Sequence, residues 1–238
     1  MAPGARLLDD VRELADRELV DRFGVSDLSP VRDEIARQGG ELPASFPRAI
    51  SLGIDLAHAV VDALDRREER GVAVAYRRMS YEVINQRLNL AGSRVASLLQ
   101  RAGHRAFPMT ASDRADDERI CAMFSHKLAA RQAGLGWIGR SCLLVTPDAG
   151  PRVRWTTVLT DAPLEPTGSP IANGCGECSE CVDICPVGAF SGRLFEVGEP
   201  REARFDASKC DQYFKSMYAE ADWKVCGLCL YACPHGRQ

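Results

Sequence analysis

Apolar positions recur every three or four residues along several stretches of the chain, the period of a helix with one buried side. In residues 7–20, Leu7, Leu8, Val11, Leu14, Ala15 and Leu19 fall together while acids and arginines fill the other side, which predicts an amphipathic surface helix ended by Gly24. In residues 80–100 the same spacing runs through Ile84, Leu88, Ala91, Val95, Leu98 and Leu99 up to a stop at Gly103. Shorter helices are expected from Pro30 to Gly39, from Ala57 to Leu64 before the solvated cluster Arg66-Arg67-Glu68-Glu69-Arg70, and from Ser125 to Ala133. Ala49 to Ile54 reads as a buried strand and His104 to Thr110 as another. Cys142 to Thr146 and Arg152 to Thr160 predict a hairpin across Pro147-Asp148-Ala149-Gly150. Pro163, Pro166, Gly168 and Pro170 form the densest group of breakers, and they divide the chain into residues 1–165, an α/β domain, and residues 166–238.

The second part carries a pattern of a different kind. Cys175-Gly-Glu-Cys178-Ser-Glu-Cys181-Val-Asp-Ile-Cys185-Pro186 has the bacterial ferredoxin spacing, in which three thiolates hold one [4Fe-4S] cluster and the fourth crosses to another. A second set follows as Cys210 and Cys226-Gly-Leu-Cys229-Leu-Tyr-Ala-Cys233-Pro234. A turn can wrap three thiolates round one cube, but the helix after it carries the fourth away. This gives Cys175, Cys178, Cys181 and Cys233 to one cluster and Cys185, Cys210, Cys226 and Cys229 to the other. Zinc would leave the Cys-Pro after each group without a reason, and disulfides belong to an oxidising compartment that nothing in the sequence points to. Glu177, Glu180 and Asp183 crowd the first run, and negative charge there favours the oxidised cluster. Cys121 and Cys142 stand outside both sets and read as free cysteines.

Composition narrows the setting. The 238 residues are 45% hydrophobic, enough for one medium and one small domain, and the net charge of -3 lacks the basic excess of a dedicated nucleic-acid binder. No secretory h-region and no run of eighteen apolar residues occurs, so the expectation is a cytoplasmic protein with no membrane partner.

Gly134, Gly136 and Gly139 match the dinucleotide fingerprint G-x-G-x-x-G, but a helix pattern precedes them and a strand follows, the reverse of what pyrophosphate binding needs. Two other readings stand: a capped helix with a tight turn, or backbone kept bare so that a large flat cofactor approaches closely, with Trp137 as a wall.

The run from Ser125-His126-Lys127 through Gly134-Leu135-Gly136-Trp137-Ile138-Gly139-Arg140-Ser141 to Gly150, with Val158 to Asp161, resembles the cobalamin-binding core of the epoxyqueuosine reductase family, to which corrinoid reductive dehalogenases are related. In both, that core precedes a double-cluster module. The resemblance implies a nitroreductase-like α/β (α+β) domain followed by a ferredoxin-like 2[4Fe-4S] domain, with cobalamin held base-off, since no Asp-x-His-x-x-Gly segment is present. It implies Tyr81, Gly134, Leu135, Gly136, Trp137, Ile138, Ser141 and Leu143 as cofactor-binding residues. The family's aspartate in Asp-Ser-Ala-Pro is replaced by Pro108-Met109-Thr110-Ala111-Ser112, which leaves His126 as the candidate proton donor and Lys127 as the candidate anchor for an anion. Because the chain stops four residues after Pro234, it reads as a short form without the family's tRNA-engaging region, so a small substrate is expected and tRNA is not.

The function expected is therefore an iron-sulfur oxidoreductase, a cobalamin-dependent reductase fed by an external ferredoxin or flavodoxin. An FMN-dependent reductase on the same scaffold is one alternative. A ferredoxin-type electron carrier or activating protein is another, and it predicts no ligand pocket in the first domain.

Overall fold

The computed structural model describes residues 3–237. The chain runs through α1 (Pro3–Arg17), β1 (Arg22–Asp27), α2 (Arg32–Gly39), α3 (Glu41–Ala44), β2 (Arg48–Asp55), α4 (His58–Asp62), α5 (Arg70–Arg77), α6 (Ile84–Arg101), β3 (Ala106–Met109), α7 (His126–Gln132), β4 (Trp137–Ile138), β5 (Leu144–Val145), β6 (Val153–Thr160), α8 (Glu180–Asp183), α9 (Ala207–Glu220) and α10 (Leu228–Tyr231). It is a mixed helix-and-strand fold. No helix among the described residues is long and apolar enough to cross a membrane.

The middle layer is a four-stranded sheet in the order β1-β2-β6-β3, every neighbouring pair antiparallel. Side chains alternate across it. Ile50, Leu52, Ile54 and Val158 join Val11, Leu88, Val95 and Leu99 in the core under α1 and α6. Ala49 and Leu159 join Leu128 and Ala129 of α7, and Val153 and Trp155 join Ala130. The two inner strands are thus covered on both faces, which is why β2 is buried without a break from Ala49 to Ile54. Each of the fully buried leucines of α6 contributes about 1.5–3 kcal/mol relative to an exposed position.

Three expectations need correction. Gly24 does not end the first helix: α1 stops at Arg17, the chain turns at Leu19 with φ 54°, and Gly24 lies inside β1. A Cβ there would sit 2.9 Å from the Ala133 methyl, so the glycine lets α7 close on the sheet. The hairpin between residues 142–146 and 152–160 does not form. β5 pairs instead with β4, Trp137 opposite Val145 and Ile138 opposite Leu144, while β6 fills the gap between β2 and β3. Eight residues paired with β2, four of them also with β3, outweigh a two-residue pairing. The helix expected from Ser80 begins at Ile84, because a wider π turn, Arg78–Val83, joins α5 to α6.

The fully antiparallel sheet offers no parallel βαβ unit, so the dinucleotide reading of Gly134 to Gly139 has no structural support. The segment from Ala162 to Ser169 runs as a strap over the first part: Ala162 and Leu164 are buried in the main core, and the Val25 amide donates to Thr167 Oγ1 at 2.9 Å. The cysteine-bearing part packs on the same core through Val225 and Leu230, beside Leu64 and Tyr76.

Candidate functional site

The eight spaced cysteines are all free and half-buried. Cys233 feels Cys181, Cys175 and Cys178, Cys210 and Cys226 feel Cys185, and Cys229 feels Cys226, Cys210, Cys181 and Cys185. Burial pushes the Cys210 and Cys233 thiols up to about 11 and Cys229 higher still. Cluster iron, which binds thiolates, offsets that desolvation. Local structure explains the thiol positions. The Cys178 amide closes a turn on the Cys175 carbonyl at 3.0 Å, α8 carries Cys181, and Cys185 lies just past its end. Asp206 caps α9, which carries Cys210, and Gly227, at φ 84°, starts the α10 turn that holds Cys229. The expected acidic crowd is partly neutralised: Arg237 pairs with Glu180 at 3.0 Å, and the Ser179 hydroxyl donates to Asp183 at 2.6 Å.

A cavity of about 390 Å³ lies between the α7 side of the sheet and the cysteine-bearing part, lined by His126, Lys127, Leu143, Trp155, Arg154, Arg201 and Leu230 among others. Ser125 caps α7 and starts the helix that carries the first two. His126 is held at both nitrogens. The Thr110 carbonyl, 2.9 Å from Nε2, can only accept, so Nε2 carries the hydrogen, and Nδ1 accepts from the Thr157 hydroxyl at 2.9 Å. Burial pushes its pKa down to about 4, against the pull of the Thr110 carbonyl. At neutral pH it is an uncharged, fully engaged imidazole. Lys127 reaches the same cavity by bending its stem round the helix: Nζ donates to the Cys142 carbonyl at 2.6 Å, and burial lowers its pKa. Cys142 turns that carbonyl inward with a left-handed backbone, φ 55°, and Ile120 on the opposite wall has φ 52°. Such positions cost about 1–3 kcal/mol each and gather at functional sites.

The cofactor-binding residues implied by resemblance fall in three places. Leu143 lines the cavity. Tyr81 lines a neighbouring cleft of about 580 Å³ that reaches Cys226 and shares Ser112 with the first, and the Arg154 guanidinium lies over its ring at 4.4 Å, so this pair stands between the two spaces. Gly134, Leu135, Gly136, Trp137, Ile138 and Ser141 are not among the lining residues of either. The glycines make room for the protein itself: a Cβ on Gly136 would be 2.3 Å from the Val145 oxygen, and one on Gly134, at φ 78°, 2.7 Å from the Ser169 oxygen. Trp137 is buried against the first cysteine loop, where its Nε1 donates to Cys175 Sγ at 3.4 Å, so it is not a wall of the cavity. The cavity thus opens beside His126 and Lys127 rather than around residues 134–141.

The sequence reading missed Arg119, Arg154 and Arg201, which with Lys127 make the lining basic, with no carboxylate among the lining residues. Trp155 Nε1 and Arg201 Nε, both on this lining, are buried without an acceptor. A donor in that state asks for a ligand that carries acceptors. The alternation of β6 placed Trp155 on the α7 face, but nothing local marked Arg201, which comes from the far part of the chain. Cys121 also lines the cavity, half-buried, and Cys142 is buried.

Residues 174–236 match the family model described as a 4Fe-4S double cluster binding domain. The chain is 36% identical over 112 residues to an epoxyqueuosine reductase of Bacillus anthracis, which covers 46% of this chain and 27% of that protein. Its fold is similar to a solved reductive dehalogenase described in terms of B12-dependent dehalogenation, with TM-score 0.69 and 20% identity over 100% of this chain and 33% of the other. It is also similar to an epoxyqueuosine reductase solved with an epoxyqueuosine-modified tRNA-Tyr stem loop, with TM-score 0.59 and 18% identity over 98% and 66%. That neighbour was solved with an RNA stem loop, so the expectation that tRNA is not a partner of this chain finds no support in the comparison. The chain spans about a quarter to two fifths of the length of the curated relatives it matches. The chain is thus similar in part of its sequence to epoxyqueuosine reductases and in fold to these and to a reductive dehalogenase, with two [4Fe-4S] clusters as the cofactors of its cysteine-bearing part.

Proposed function

We propose that this chain is the reductase core of a cobalamin-dependent iron-sulfur enzyme with a nitroreductase-like first domain, acting on a substrate that carries negative charge or exposed acceptor oxygens. The observation that carries this reading is the basic cavity beside the second thiol group, where Leu230, the neighbour of Cys229, lines the wall and Lys127 feels Cys229. The residues fit the cofactor: two adjoining spaces of about 390 and 580 Å³ give room for a large group, and the orphaned Trp155 and Arg201 donors would meet the carbonyls at its edge. With both nitrogens engaged, His126 has none left for a metal, in keeping with base-off binding. Cobalamin, when bound and reduced through the clusters, supplies a strongly nucleophilic, low-potential centre.

The chain's own residues do the rest. Thiols Cys185, Cys210, Cys226 and Cys229 hold the cluster on the cavity side, and Cys175, Cys178, Cys181 and Cys233 the one through which an external low-potential donor enters. Lys127 uses one N–H on the Cys142 carbonyl and keeps the others for the substrate, and its lowered pKa makes it a better acid than an ordinary lysine. His126 then orders the Thr110 and Thr157 walls rather than giving up a proton. On this reading Lys127, and not His126, gives the proton as well as anchoring the substrate.

Anaerobic reconstitution with iron, sulfide and cobalamin tests the reading. Retention of a corrin through gel filtration, lost when Trp155 and Arg154 are replaced together, is expected. A chain that keeps its iron but binds no corrin overturns it, and release of a fluorescent flavin by acid would favour the FMN enzyme. Turnover of an epoxyqueuosine-bearing stem loop, but of no small anion, would make RNA the substrate.

A further inference from the structure

The glycine turn between α7 and β5 lies against the first cysteine loop. Asn173 ties the two backbones, its Nδ2 donating to the Ile138 carbonyl at 3.1 Å and its Oδ1 accepting from the Cys175 amide at 2.9 Å. Arg140 donates to the carbonyls of Gly176, at 2.6 Å, and Gly192. Trp137 is clamped on two sides: its ring meets the His235 ring edge-on at 5.0 Å, and Gly174 lies so close that a Cβ there would be 2.7 Å from it. The indole N–H of this fixed ring donates to Cys175 Sγ at 3.4 Å. In the second thiol group, Cys185 Sγ accepts from the Ala189 amide of its own loop at 3.3 Å.

A donor aimed at a ligating sulfur stabilises the extra negative charge that a cluster takes on reduction, and so raises its potential. We propose that Trp137 is a positioning residue that sets the reduction potential of the first cluster through its N–H on Cys175. The proposal rests on the double-cluster reading and is independent of what the cavity binds. A buried indole held on two sides cannot swing away, so the bond persists in both oxidation states. The potential of the first cluster is therefore tuned from the first part of the chain.

Trp137→Phe keeps the ring against His235 and removes only the donor. The reconstituted chain is titrated anaerobically, with electron paramagnetic resonance reading the reduced clusters as two one-electron steps, and iron and sulfide are measured in parallel. The variant should move one step to lower potential and leave the other in place. A tenfold fall in the reduced-to-oxidised ratio at fixed potential corresponds to a shift of about 59 mV. Two unmoved steps at full iron content, or equal movement of both, overturns the proposal. If Trp137→Phe loses iron, benzothienylalanine at position 137, an indole isostere without the N–H, decides by the same criterion. A wild-type chain that binds no iron refutes the cluster reading itself.

Discussion

Replacement of Gly136 by alanine probes whether the glycine turn serves the protein's own packing. The added methyl would lie 2.3 Å from the Val145 oxygen, 2.9 Å from its carbonyl carbon and 3.3 Å from Thr146 Cα, about 1 Å short of ordinary contact at the first of these. All three atoms are backbone, so no side chain can rotate out of the way. The strand pair of Trp137 with Val145 and Ile138 with Leu144 has to open. Overpacking of this kind costs about 1–3 kcal/mol. In a chain of this size each kcal/mol lowers the melting temperature by about 2–4 °C, so a fall of roughly 2–12 °C is expected. Gly71 in α5 provides the opposite case: nothing lies within 4 Å of a Cβ there, and alanine gains up to about 1 kcal/mol of helix propensity. The two variants and the wild type are melted side by side by circular dichroism at one scan rate, with iron content measured on each. Gly136→Ala should melt low and lose iron, because β5 and Trp137 move with the turn, and Gly71→Ala should melt slightly high. A Gly136→Ala protein that melts with the wild type and keeps its iron would refute the packing argument.

The low pKa of His126, about 4 against an ordinary 6.5, means that the unfolded chain takes the proton first as pH falls. Stability from this group is complete above pH 6.5 and declines down to about pH 4. Between pH 7.5 and 5.5 the wild type should lose about 1.3 kcal/mol more than His126→Asn in urea unfolding, and equal losses would contradict the buried neutral imidazole. Crossed ligation is checked by iron counts on double variants: Cys185→Ala with Cys226→Ala removes ligands of one cluster and should leave about half the iron, whereas uncrossed ligation loses nearly all of it.

The cysteine spacing was legible because ligation by consecutive thiols is a local matter of one turn and one short helix. So was α6, whose apolar period alone places Leu88, Val95 and Leu99, and so was β2, whose burial on both faces shows as a run of apolar and small residues from Ala49 to Ile54. β1 escaped because Gly24 and Ser26 interrupt its alternation, and they are there to admit α7 and to bond the Ala49 carbonyl. The partner of β5 depends on which strand fills the middle of the sheet, a competition between distant segments that no local pattern records. The same holds for the candidate site. The glycine turn was visible as a motif, but whether its bare backbone faced a cofactor, a strand or a cysteine loop depended on what the fold laid beside it: Val145, Ser169 and Cys175. Helical spacing set Lys127 about a hundred degrees from His126, and only the inward carbonyl of Cys142, on a left-handed residue of the next loop, brings its ammonium to the same cavity. Arg154 and Arg201 reach that cavity from β6 and from the cysteine-bearing part. The cysteine runs were thus written in the order of residues, because their spacing is local, while the cavity and the Trp137 donor to Cys175 arise from contacts between segments remote in the chain.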